Sequence, residues 1–256
     1  MPALARPMQV RPIAMTTASS TRRAFATSTG QGSGRKVIPD SVRKALLVCG
    51  ALGSLDYFVA ANIVGPLRWE GYSSLSRSVS ELSAIGAPSR PVMVALFVLY
   101  GALTMAFGVG VWASSGSARV LRIVGGLLVA FGAVCLTGPL TPMHQRGAGG
   151  SDLLHIISTI ADVVLILLIL GFGAAALDRR FRLYSAATIV VLLSLAALAG
   201  LSGPAVAADQ PTPWVGLTER ISIGAYLLWF AVFAIALLRR RPDASRTAPK
   251  LKEWRV

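Results

Sequence analysis

Six stretches of apolar and small residues, each bounded by charge, run along the chain. Residues 45–67 contain one charge, Asp56, and residues 91–118 and 123–143 contain none. Residues 154–177 hold His155 and Asp162, and residues 183–208 and 221–238 are again uncharged. About 20 mostly apolar residues are enough for a helix to cross a bilayer's hydrocarbon core. The runs are continuous, without the alternation of a barrel strand, and backbone in lipid must satisfy its own hydrogen bonds, so each run is expected to be helical. The pattern predicts an all-α polytopic membrane protein, with six transmembrane helices in one bundle over residues 42–238. A disordered basic tail (1–41) precedes the bundle and a shorter basic tail (239–256) follows it.

Composition agrees. Of 256 residues, 54% are hydrophobic and 14% charged, with mean hydropathy +0.64, whereas a soluble domain carries about 25% charged residues. An ordinary soluble domain, a disordered chain and a disulfide scaffold are all excluded. The two cysteines, Cys49 and Cys135, fall at depths that differ by roughly 10 Å, beyond the ~7 Å Cα reach of a disulfide. They read as small packing residues. Close helix contacts are expected through Ala102, Ala106 and Gly110, and through Gly126 and Ala130.

The net charge of +14 raises the question of nucleic acid, and its distribution answers it. With six spans, sixteen basic residues near the membrane fall on the side of the termini, among them Arg119, Arg122, Arg179, Arg180 and Arg182. Five fall on the other side: Arg68, Arg77, Arg90, Arg146 and Arg220. The positive-inside rule then puts both termini in the cytoplasm of a cell bounded by a plasma (inner) membrane. The basic tails are expected to contact anionic headgroups, at about 1 kcal/mol per residue. Membrane lipids, and no nucleic acid, are the expected partners. The first 39 residues carry no acid and are rich in Ser, Thr, Ala and Arg. That composition is shared with mitochondrial presequences, but a cytoplasmic tail is expected here, with Met15 as an alternative start. Trp69, Trp112 and Trp214 fall near span ends, where amphipathic rings prefer to sit.

The chemistry gathers in the three longer connections, which this topology places outside. Ser78-x-x-Glu81 has the spacing of a capping box, in which serine and glutamate satisfy each other's backbone donors; alternatively, Glu81 projects over the bundle mouth. Asp152, His155, Thr159 and Asp162 recur on one helical stripe. Ionisable side chains on a membrane helix face the bundle interior or a wet cavity. Glu219, Ser222 and Tyr226 recur similarly at the start of the sixth span. Glu219 there is either a complement to the helix dipole or a ligand contact, and Arg220 is suited to holding a phosphate or carboxylate bidentately. Asp56, midway along the first span, is expected to be hydrogen-bonded within the bundle. His144, Asp152 and His155 have the donor types of a zinc site, but no His-x-x-x-His or His-Glu-x-x-His pair fixes two ligands on one helix. No cofactor is predicted, with zinc the one alternative. A Ser/His/Asp arrangement from Ser78 or Ser80 with His155 and Asp152 or Asp162 lacks nucleophile-elbow glycines.

Tyr72 with Ser80-Glu81-Leu82 and Gly86-Ala87-Pro88, then Pro142-x-His144, Asp152-x-x-His155 and Gly216-Leu-Thr-Glu-Arg220, form an ordered set. Together they resemble the bacterial membrane family catalogued as domain of unknown function 998, over roughly residues 42–238. The resemblance implies a bacterial plasma-membrane protein with these polar residues gathered on the outer face. It brings no activity, and the long N-terminal tail looks like an addition to the family pattern.

The first reading of function is therefore a protein that binds a lipid headgroup or small polar ligand in an outward pocket lined by Glu81, His144, Asp152, His155, Asp162, Glu219 and Arg220, with Tyr226 below. A membrane-embedded metal-dependent lipid hydrolase, with His155, Asp152 and Asp162 as catalytic candidates, is the alternative. Proton-coupled transport through Asp162 and Asp56 is a further one.

Overall fold

A computed structural model of the protein describes residues 38–148 and 151–240. The tails expected at 1–41 and 239–256 lie outside the described residues, except for their bundle-proximal ends. Among the described residues six long helices form: α1 (Asp40–Leu67), α2 (Arg90–Ala113), α3 (Arg119–Leu140), α4 (Leu153–Ala174), α5 (Arg179–Leu201) and α6 (Val215–Arg239). Each is long and apolar enough to cross a membrane, and no strand forms among the described residues.

Most helices begin before the uncharged runs do, because a charged first turn can be helical while standing outside hydrocarbon. Asp40 pairs with Arg43 at 2.6 Å and Lys44 at 2.8 Å, and Asp178 caps α5 by accepting from the Phe181 N–H at 3.0 Å. Conversely, α5 stops at Leu201 instead of continuing to 208. Pro204 has no N–H for the ladder, so the chain restarts as a separate turn, Gly203–Ala207. In α1 the helix widens to a π turn at Ala60–Val64, next to Gly65-Pro66, where the proline again withholds a donor.

Each helix packs against the next in the chain, and α6 closes against both α5 and α1. The aromatic face of α6 fills the middle. Trp229, Phe230 and Phe233 are buried, Phe230 meets Phe107 and Phe131 at ring distances of 6.3 and 6.0 Å, and Trp229 donates to the Ser185 hydroxyl at 2.8 Å. Tyr226 is buried beside Phe131 and Phe230.

The seam between α2 and α3 corrects one expectation. Ala102 and Ala130 are exposed, whereas Gly110 does make a close helix contact, on Leu46 and Leu47 of α1, and Gly126 faces Trp112. The close approach is instead made by Gly101 and Gly108 against Gly132 and Gly125. A Cβ on Gly108 would stand 2.8 Å from the Gly125 carbonyl oxygen, and one on Gly132 would stand 2.6 Å from the Gly101 oxygen. Seven residues make two turns, so an antiparallel pair with this spacing meets twice on one face. Both cysteines are free.

At the end of the bundle away from Asp40 and Arg239, residues 68–89, 141–148 and 202–214 gather into a cap. The Ile85 N–H donates to the Met143 carbonyl at 2.9 Å, and the Leu217 N–H to the Leu75 carbonyl at 3.1 Å.

Candidate functional site

The capping-box spacing makes its bonds. The Glu81 carboxylate accepts from the Ser78 N–H at 2.6 Å, and the Ser78 hydroxyl accepts from the Glu81 N–H at 3.2 Å. The helix so capped is one short 3-10 turn, Ser80–Ser83. Its purpose is to aim two neighbours inward. Leu82, fully buried, seats against Gly65 and Met93, while Glu81, 1% exposed, turns into the cap.

There Glu81 meets Arg146 in a bidentate pair, Nε to Oε1 at 2.6 Å and Nη2 to Oε2 at 2.9 Å. The same guanidinium donates to the Thr212 hydroxyl and the Ser76 carbonyl, both at 2.8 Å. One side chain therefore joins all three connections. The Glu81 contact holds the Arg146 proton even more tightly than a guanidinium ordinarily does.

A second arginine does comparable work at the foot of the cap. Arg220 Nη1 donates to the carbonyls of Ser74, Arg77 and Gly216 at 3.0–3.1 Å. Its Nη2 reaches the Ala61 carbonyl at 3.3 Å and the Tyr72 hydroxyl at 2.8 Å. The Ala61 carbonyl stands in the π turn, where the ladder is already disturbed. Arg220 is expected from sequence to hold a ligand; here its Nη donors hold backbone and the Tyr72 hydroxyl, while its Nε is enclosed without a hydrogen-bond partner among the described residues. Tyr72 in turn donates to the Ser78 carbonyl at 2.7 Å, and burial pushes its phenol up to about 12, with Arg220 pulling the other way. Glu219 accepts from the Val79 N–H at 2.7 Å. Gly216 admits the loop against α6: a Cβ there would lie 2.2 Å from the Arg77 oxygen and 2.5 Å from the Ser74 oxygen.

The remaining candidates form a separate group. His144 and Asp152 are joined at 2.7 Å through Nδ1, with a backbone bond at 2.9 Å. His155 Nδ1 turns to the Thr141 carbonyl at 3.1 Å, and Thr159 is exposed. Asp162 lies two turns deeper along α4, with Oδ1 enclosed and without a hydrogen-bond partner among the described residues; Asp56 Oδ2 is in the same condition. No group of three or more His, Cys, Asp or Glu side chains is placed to hold a metal among the described residues. Glu81, Glu219 and Arg220 thus come together, His144 and Asp152 come together, and Tyr226 belongs to the aromatic core.

Beside the Glu81–Arg146 pair lies an open groove of about 410 Å³, lined by Ser76, Arg77, Arg146 and residues 209–213. Arg77 stacks over Trp69 at 5.2 Å. It gives Glu81 one long bond of 3.3 Å, and its side chain is 34% exposed. Asp209, exposed, holds the cap's one positive φ outside glycine (53°), among the described residues. Sequence reading passed over Arg77, Arg146 and Asp209. The available signal was Arg146 itself, a lone cation in a glycine-rich connection, where a solvated charge would have no reason to be held.

Six membrane-spanning helices under a charge-pinned cap define a multi-pass membrane protein. Over residues 52–236 the chain matches the family described as Protein of unknown function (DUF998), and it belongs to that family. No curated protein and no solved structure matches it.

Proposed function

We propose that this is a bacterial plasma-membrane protein, with both termini cytoplasmic, whose external cap binds a lipid headgroup or small polar ligand in the groove between Arg77 and Asp209. One observation carries the reading. The groove's two accessible charges, half-buried Arg77 and exposed Asp209, stand on a frame held by the bidentate Glu81–Arg146 pair and by the Nη donors of Arg220, so Arg146, Glu81 and Arg220 act as positioning residues. Arg77 retains donors for a phosphate or carboxylate, and its volume falls in the range of small-molecule sites, roughly 300–1,000 Å³. The test is a thermal titration of detergent-purified protein with glycerophosphoethanolamine. Ligand that binds only the folded state raises the midpoint; Arg77→Gln is expected to remove the rise. No rise in the wild type would end this reading.

A second reading rests on the enclosed, unpartnered carboxylate oxygens of Asp162 and Asp56. Such groups in membrane helices mark ion and proton routes. Proton flux in proteoliposomes, read by an internal pH dye and abolished by Asp162→Asn, would support transport; absence of flux in the wild type would exclude it.

A further inference from the structure

A second groove, of about 520 Å³, opens at the outer ends of α5 and α6, and residues 211–213 form a wall common to both grooves. The two differ in charge and in apolar share. The first presents Arg77, Arg146 and Asp209; the second carries no charged side chain and is lined mainly by Leu198, Leu201, Ala205, Trp214 and Val215, with Ser202 and Thr218. Trp214 is 62% exposed and Leu201 79% exposed, at the start of α6 and the end of α5. A tryptophan at a span end sits at headgroup level, so the apolar groove lies where acyl chains begin and the polar one just above it.

From this juxtaposition, and resting on the binding reading above, we infer that the ligand is a zwitterionic, amine-bearing phospholipid that straddles residues 211–213. Its phosphate pairs with Arg77, its ammonium with Asp209, and the first part of one acyl chain lies against Leu201 and Trp214. Charge complementarity selects this occupant over an anionic lipid. Among the described residues the groove presents Arg77, which gives Glu81 a single long bond of 3.3 Å, and Asp209, whose carboxylate takes no hydrogen bond, so a lipid with phosphate alone leaves Asp209 facing like charge. The apolar groove selects it over a soluble headgroup, since each chain methylene removed from water strengthens binding.

The test is native mass spectrometry of detergent-purified protein titrated with phosphatidylethanolamine, phosphatidylglycerol and glycerophosphoethanolamine. The ethanolamine lipid should bind about 10-fold or more tighter than the other two, the size of one charge-assisted contact or a few buried methylenes. Asp209→Asn should erase the preference over phosphatidylglycerol. Leu201→Ser, at an exposed position whose replacement spares the core, should narrow the gap between lipid and soluble headgroup; Leu198→Ser serves as its duplicate. Equal binding of phosphatidylglycerol overturns the zwitterion assignment, and equal binding of glycerophosphoethanolamine overturns the chain contact. In both cases headgroup binding itself stands. Binding of none of the three by folded protein overturns this inference and the reading beneath it together.

Discussion

The cap and the bundle are ordered by opposite means. In the bundle, helices meet through the absence of side chains: Gly101, Gly108, Gly125 and Gly132 bring two backbones into contact, and dispersion and aromatic packing from α6 do the rest. In the cap the apolar clusters are small, one around Leu82 and one around Ala84, Ala87 and Met143, and buried ions join the connections to one another. Arg146 and Arg220 between them tie down a carboxylate, two hydroxyls and five backbone carbonyls. The difference teaches that the two regions should fail separately. Glycine substitutions in a helix seam should loosen helices and leave the cap in place, while loss of an ion should open the cap over an intact bundle.

The strongest break is Glu81→Ala. It leaves the Arg146 guanidinium, 7% exposed, without its counter-ion, and removing one partner of a buried pair costs about 3–5 kcal/mol. Hydrogen exchange should quicken across residues 68–89 and 141–148 while α2 and α3 keep their protection. Exchange that rises evenly along the chain would refute the separation. Gly216→Ala comes next. Its Cβ would enter the space of two carbonyls already held by Arg220, at about 3 kcal/mol, the upper range for overpacking, and it should expose the 68–89 segment to limited proteolysis. Gly108→Ala should cost about 2 kcal/mol on the same grounds, with the exchange change confined to α2 and α3; that contrast with Gly216→Ala is what sharpens the comparison.

The smallest effect is Tyr72→Phe, about 1 kcal/mol for lost hydrogen bonds. It also carries a pH signature. Because burial holds the Tyr72 phenol at about 12 against an ordinary 10, the folded protein keeps a proton that the unfolded chain releases. The stability from this group is full below pH 10 and is lost as pH rises through 12. Tyr72→Phe should flatten that part of the alkaline unfolding profile, and an unaltered profile would show that the phenol titrates normally.

How much could be read beforehand follows the same division. The six spans were legible because length, apolar content and charge boundaries are local properties; the ends erred where helix continues through a charged turn, where it stops at Pro204, and where it stops short of the uncharged run, as α2 does at Ala113, α3 at Leu140 and α4 at Ala174. The Ser78–Glu81 reciprocity was legible because it spans three residues. The Glu81–Arg146 pair was not, since 65 positions separate its members and nothing in either segment names the other. Arg220 was noticed as a cation but its role was not, because carbonyl partners leave no mark on residue identity. The glycine seam escaped a search at four-residue spacing because its repeat is seven. Arg77 and Asp209 were missed for a simpler reason: charges in loops look like solvation until a groove is seen between them.

The central claim is that this held frame presents Arg77 and Asp209 to an amine-bearing phospholipid at the membrane surface. It is tested most directly by extracting and identifying the lipid that stays with the protein on purification from its own membrane. The wild type should retain phosphatidylethanolamine well above its share in the bulk extract, and the folded Arg77→Gln, Asp209→Asn double variant should return to the bulk ratio. A wild type whose retained lipids simply mirror the membrane would contradict it.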